Sequence, residues 1–231
     1  MKTIGLIGGM SWESTVTYYQ LLNRMARERL GGLHSAELLL WSFDFAEIEA
    51  LQAAGDWDAA TARMTAAATA LARGGADCLV ICTNTMHKMA EAVQASVNIP
   101  LIHIADATAV AVKTSGVKVP LLLATRYTME QDFYKGRLKE KHGIEVTVPD
   151  AAARRVVHDI IYNQLCQGIV SAESKARYID IVQQAEAQGA DGVIFGCTEV
   201  GLLISASDFS IPVFDTTELH ARAALDFALA G

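Results

Sequence analysis

The chain has 231 residues, 52% of them hydrophobic and 19% charged, and its formal net charge is −7. That length buries a substantial core and allows one or two domains. The acidic balance argues against nucleic acid or anionic lipid as a main partner, but does not bar an acidic small molecule held by local donors.

In chain order, Thr3–Ile7 is a short apolar run ended by Gly8-Gly9 and predicts a first buried strand. Ser11 or Ser14 then caps a helix through Leu30, with Tyr18, Leu21, Leu22 and Met25 forming its apolar stripe. Ala36–Ser42 predicts a second strand, and Asp56 or Asp58 starts an Ala-rich helix to Arg73, stopped by Gly74-Gly75. Cys78–Cys82 is the third strand, followed by a helix near Met86–Ala95, a strand Pro100–Ile104 and a helix Asp106–Thr114. The pattern then restarts. Val119–Leu123 is a strand, Thr128–His142 a helix, Ile144–Val148 a strand, and Ala151–Gln167 and Ser171–Gln188 are helices. Val193–Phe195 and Ile211–Phe214 are strands, and Thr216–Ala230 is a closing helix.

Strands that alternate with helices, and that are apolar without a polar alternate, predict α/β architecture with parallel sheets covered on both faces. An internal repeat sharpens this. Gly75-Ala76-Asp77 recurs 114 residues later as Gly189-Ala190-Asp191, and Asn98-Ile99-Pro100-Leu101 is echoed by Ser210-Ile211-Pro212-Val213. We therefore expect two similar α/β domains related by a pseudo-twofold, residues 1–114 (joined by the closing helix 216–231) and 115–215, with an active site in the cleft between them. Ligands of such sheets sit beyond the carboxyl ends of strands. Three polar clusters lie there: Gly8-Gly9-Met10-Ser11, Thr83-Asn84-Thr85 and Gly196-Cys197-Thr198-Glu199. The 114-residue offset sets Thr83 opposite Cys197.

Several chemistries are excluded or weak. Gly5-x-x-Gly8-Gly9 lacks the spacing of a dinucleotide loop, and neither a P-loop nor a Gly-x-Ser-x-Gly elbow occurs. None of the six histidines pairs with another at i, i+4, and no metal site is expected. Cys78, Cys82, Cys166 and Cys197 match neither a disulfide framework nor a zinc spacing. The first residues are too short for a signal sequence, and no run reaches the ~18 apolar residues of a membrane span, so a cytoplasmic protein is expected. Buried cysteines are more often packing than chemistry. Cys197 differs by lying at a strand end beside Thr198 and Glu199, before a helix whose N-terminus would lower the thiol pKa. Cys82 should point the other way from Thr83, into packing.

At these residues the chain resembles the cofactor-independent aspartate/glutamate racemase family. The resemblance covers essentially the whole chain. It is carried by Gly8-Gly9-Met10-Ser11-Trp12-Glu13-Ser14-Thr15 with Tyr18-Tyr19, by Ser42-Phe43-Asp44-Phe45-Ala46-Glu47-Ile48, by Asn84-Thr85-Met86-His87 and by Gly196-Cys197-Thr198-Glu199. Glu199 after Cys-Thr is similar to the aspartate branch. The resemblance implies an isomerase that needs no pyridoxal or other cofactor, acts on L-aspartate or L-glutamate to give the D-enantiomer, and pairs as a homodimer. In the family two cysteines remove and return the α-proton on opposite faces. Here the first is replaced by Thr83, a hydroxyl far less acidic than a thiol of pKa about 8.5. The family's second cysteine serves the L-enantiomer, so Cys197 is expected to be the base and Thr83 a proton carrier, with D-to-L conversion slow or absent. Asn84, Thr85 and Thr198 are expected around the α-carboxylate, with Met10 and Ser11 lining the floor. Glu199 would orient the ammonium or the thiol, and Gln52 and the pair Gln164/Gln167 would serve the side-chain carboxylate. Two readings compete: a decarboxylase or maleate isomerase of the same superfamily, and a non-catalytic binder of acidic amino acids.

Overall fold

A computed structural model describes residues 1–230. Its order is β1 (Ile4–Gly8), α1 (Trp12–Leu30), β2 (Leu38–Ser42), α2 (Phe45–Ala54), α3 (Trp57–Arg73), β3 (Cys78–Ile81), a 3-10 turn Thr85–Met89, α4 (Ala90–Ala95), β4 (Leu101–Ile102) and α5 (Ile104–Ser115). The second half runs β5 (Pro120–Leu123), α6 (Arg126–Glu130), α7 (Asp132–His142), α8 (Ala151–Asn163), a 3-10 turn Leu165–Gln167, α9 (Ala172–Ala187), β6 (Gly192–Phe195), α10 (Val200–Leu203), β7 (Val213–Asp215) and α11 (Thr216–Leu229). All strand pairs are parallel, in a four-stranded sheet β2-β1-β3-β4 and a three-stranded sheet β5-β6-β7.

Local chemistry sets the helix starts. Ser11 caps α1, Asp56 caps α3 by accepting from Ala59 N–H at 3.0 Å, and Ser171 caps α9 by accepting from Ser174 N–H at 3.1 Å. α2 was not expected, although Asp44 caps it by accepting from Ala46 N–H at 3.1 Å. The helix expected over Thr128–His142 breaks at Gln131, whose backbone is extended. The strand expected over Ile144–Val148 reduces to a single parallel bridge, Thr147 to Leu121. Gly143 turns left-handed before it, while Pro149 after it lacks an N–H for a ladder. β4 keeps two residues of Pro100–Ile104, because Ile104 already begins α5.

The chain divides into two compact units, Met1–His103 with the chain end from His220, and Ile104–Leu219. The division falls at His103, not at the Thr114–Gly116 turn expected from sequence. α5 explains the difference: Ile104, Ala105, Ala109 and Val112 are all buried in the core of the second unit.

Each unit repeats the same construction. Asp77 accepts from Thr3 N–H at 2.7 Å at the base of the first sheet, and Asp191 accepts from Val119 N–H at 2.7 Å at the base of the second. Leu79 N–H donates to Pro100, and Val193 N–H donates to Pro212, both at 2.9 Å. Cys82 N–H closes the first ladder on the Ile7 carbonyl at 2.9 Å, and Gly196 N–H closes the second on Leu123 at 2.7 Å. Asp77, Leu79 and Cys82 match Asp191, Val193 and Gly196 at the 114-residue offset, while their partners match at 116 residues (Thr3 with Val119, Ile7 with Leu123) or 112 (Pro100 with Pro212). In the first unit alternate strand residues feed two cores. Ile7, Leu79 and Ile81 pack toward α2 and α3, while Leu6, Val80 and Cys82 pack toward α1 and α11. Each such aliphatic side chain contributes about 1.5–3 kcal/mol when withdrawn from water.

His220 of α11 is wholly buried in the second of these cores, between Tyr18 and the end of β4. Its Nε2–H donates to the Ile102 carbonyl at 2.6 Å, and its Nδ1 accepts from the Tyr18 hydroxyl at 2.8 Å. Burial lowers its pKa from 6.5 to about 4, partly offset by the bond to Ile102. The depressed value means the unfolded chain binds this proton first. The stability it contributes is therefore present above pH 6.5 and lost as pH falls toward 4, by about 3 kcal/mol. Urea unfolding between pH 7 and 4 should show this loss in the wild type, and His220→Gln should remove that part of the slope.

Candidate active site

In the first unit the carboxyl ends of β1 and β3 are adjacent, because the two strands pair. The β1–α1 turn requires glycine at position 9. Its φ is +77°, and a Cβ there would stand 2.3 Å from the Phe43 carbonyl oxygen. Phe43 N–H in turn donates to the Gly8 carbonyl at 3.0 Å, and Gly9 N–H donates to Thr15 Oγ1 at 2.8 Å. Thr15 Oγ1 passes its own hydrogen to the Ser11 carbonyl at 3.0 Å. Met10 and Ser11 are thereby buried at the start of α1.

Beyond β3, Thr83, Asn84 and Thr85 are all buried polar residues. Thr83 N–H turns back to the Ile81 carbonyl at 2.8 Å, and His87 Nδ1–H donates to the Thr83 carbonyl at 2.7 Å. Gln52 of α2 is buried as well, with Nε2 3.1 Å from Met86 Sδ. Cys82 is fully buried in the α1/α11 core, and burial alone drives its thiol far upward. It is a packing residue, as its place in the strand predicted.

In the second unit the cluster stands at the carboxyl end of β6. Cys197, Thr198 and Glu199 are 8%, 5% and 3% exposed. Two hydrogen bonds converge on one oxygen: Cys197 Sγ–H donates to Glu199 Oε2 at 2.9 Å, and Thr198 Oγ1–H donates to the same atom at 2.7 Å. The expectation of a lowered thiol pKa is overturned. Burial first, then the charge of Glu199, hold the Cys197 thiol well above its ordinary value. The helix that was to lower it, α10, has only four residues, and Glu199 is its cap. At rest this is a thiol paired with the Glu199 carboxylate.

Gln164 is half-buried at the end of α8. Its carboxamide oxygen accepts from Ser174 Oγ at 2.7 Å and lies 3.5 Å from Ser171 Oγ, tying α8 to the start of α9. Gln167 is exposed and lies 3.4 Å from the Tyr162 carbonyl. Three neighbours of the cluster went unnoticed in the sequence. Burial raises the phenols of Tyr162 and Tyr178, and the charge of Glu199 adds to the rise. Arg126 follows β5, the strand that pairs with β6, and its guanidinium lies 5.1 Å from the Tyr127 ring centroid. The repeat could have signalled Arg126, since it takes the place of Met10 after its strand. Among the described residues, no group of three His, Cys, Asp or Glu side chains is arranged to hold a metal ion, and no helix is long and apolar enough to cross a membrane.

Residues 7–224 match the model of the Asp/Glu/Hydantoin racemase family. The chain belongs to that family. A Yersinia pestis protein provisionally assigned as an Asp/Glu racemase is 56% identical, with a TM-score of 0.92 over 99% of this chain and 100% of that one. An aspartate racemase homologue from Pyrococcus horikoshii OT3 is 37% identical, with a TM-score of 0.85 over 99% of each chain. The broad specificity amino-acid racemase RacX of Bacillus subtilis is 22% identical over 170 residues, 71% of this chain and 70% of that protein. The two-sheet parallel α/β architecture is that of the family, and the protein is an amino-acid racemase of the isomerase class.

The raised thiol pKa has a direct consequence for this racemase. Alkylation of Cys197 by iodoacetamide, followed site by site by mass spectrometry, should be slower at pH 7 than that of free cysteine. It should climb steadily past pH 9; a plateau below pH 8 would contradict the thiol–carboxylate pair.

Proposed function

We propose that this racemase converts L-aspartate or L-glutamate to the D-enantiomer, with Cys197 as the base on the L-enantiomer and Thr83 as the proton carrier for the other face. The observation that carries the reading is the 2.9 Å bond from Cys197 Sγ to Glu199 Oε2 in a water-poor cluster at a strand end. Thr83 at the matched position of the repeat supports its counterpart.

The thiol proton passes to Glu199, leaving a thiolate at Cys197. The thiolate takes the α-proton and becomes a thiol again, while negative charge spreads from the α-carbon into the carboxylate. Thr83 delivers its hydroxyl proton to the opposite face and regains one from water; Glu199 then releases its own. Donors at Asn84, Thr85 and Thr198 would hold the α-carboxylate, where the charge develops. Gln52, Met10 and Ser11 would be the first unit's own substrate contacts. Gln164 would take part only if it gave up its bond to Ser174. Because a hydroxyl is much the weaker acid and base, exchange of the L-enantiomer's α-proton at Cys197 should outrun inversion through Thr83.

The test is α-proton exchange of L-Asp and L-Glu in D2O, followed by NMR. Cys197→Ser and Glu199→Gln should each slow exchange by about 10²–10⁴-fold, the usual contribution of a general base. No exchange in the wild type would sink the reading. A Glu199→Gln rate within threefold of wild type would remove Glu199 from the proton path.

A further inference from the structure

The first unit holds a group of buried aromatic titratable side chains that the proton accounting leaves unused. His87, His103 and His220 are 2%, 7% and 0% exposed. The His87 ring centroid lies 4.6 Å from that of His103 and 5.5 Å from that of His220, and Tyr18 backs His220. Carbonyl partners dictate two tautomers. A carbonyl only accepts, so His87 must carry hydrogen on Nδ1 to bond Thr83, and His220 must carry it on Nε2 to bond Ile102.

The repeat makes this group informative. With the 114-residue offset, His87 corresponds to Gly201 and Thr85 to Glu199. Position 201 is glycine and offers no side chain, and a Cβ there would meet only the end of the Asp215 carboxyl group, at 2.9 Å from Oδ2. The Cys197 carbonyl instead takes the Val200 backbone N–H at 3.2 Å. The half with the thiol thus has a carboxylate beside its proton carrier and no imidazole. The half with the hydroxyl has an imidazole on its backbone and a threonine where the carboxylate would be.

We propose that His87 is the positioning residue for Thr83, its imidazole clamped on the Thr83 carbonyl and braced by His103 and His220. The physical reason is the weakness of the hydroxyl. A weakly acidic hydroxyl has little driving force to make up for misplacement, so its proton transfer depends on close alignment. Threonine is β-branched and restricted at χ1, so fixing its backbone narrows the directions open to its hydroxyl. Thr83 is held on both sides, its N–H on Ile81 and its C=O on His87. The inference rests on the roles proposed for Thr83 and Cys197.

Those roles also supply a readout that general destabilisation would not move. In D2O, exchange through Cys197 alone returns deuterium with retention, whereas exchange completed by Thr83 inverts the centre. The ratio of D- to L-deuterated aspartate therefore reports on Thr83. His87→Leu should lower that ratio about tenfold. His87→Asn, which restores an N–H near the Nδ1 position, should recover most of it, and His87→Gln, whose amide reaches the Nε2 position, should not. Asn and Gln have comparable polarity, so this pair keeps the test valid if the leucine variant does not fold. Equal ratios in the two, or an unchanged ratio in His87→Leu, would overturn the proposal alone. Exchange without inversion in the wild type would overturn Thr83's role and the clamp together, while absence of any exchange would overturn the parent reading on Cys197.

Discussion

Two backbone hydrogen bonds decide where chemistry can occur in this protein. Cys82 N–H ends the β3 ladder on Ile7, and Gly196 N–H ends the β6 ladder on Leu123. Up to that point both strands are apolar and buried on both faces, so nothing reactive fits there. One residue later the chain leaves the sheet, and the first side chains to do so are Thr83 and Cys197. Parallel pairing brings the β1–α1 turn alongside β3 and the Arg126 turn alongside β6. The rest of each cluster depends on those two endings.

The same scaffold carries unequal chemistry in its two halves. At Cys197 burial makes ionisation costly, and the nearby carboxylate both opposes a second negative charge and offers a place for the proton. That favours a resting thiol over a standing thiolate. At Thr83 there is no comparable acid to shift, and the surroundings act on geometry, through carbonyl and amide bonds that immobilise a stiff side chain. The two halves of the repeat thus share a backbone plan and differ in the side chains set at their strand ends.

Much of this was legible from residues alone because the signals are local. Ser11, Asp56 and Ser171 announce helix starts since an N-cap side chain bonds backbone two or three residues away. The same rule pointed to α2 through Asp44, where the signal was present but unread. Ile144–Val148 misled because its alternation is strand-like, yet Gly143 and Pro149 leave room for one bridge only. The thiol was misjudged for a different reason. A helix start was inferred correctly, but whether it lowers a pKa depends on helix length, burial and the rotamer of Glu199, none of which is local.

The sequence by itself determined the parallel α/β class and the 114-residue repeat. Strand burial and glycine turns are written in residue type and spacing, and a repeat preserves both. Only the tertiary structure decided that Cys197 rests as a thiol on Glu199, that Gln164 is engaged by Ser174, and that His87 grips the Thr83 carbonyl. Each of these depends on which polar atoms are left to one another once water is excluded, and that is settled by packing between segments far apart in the chain.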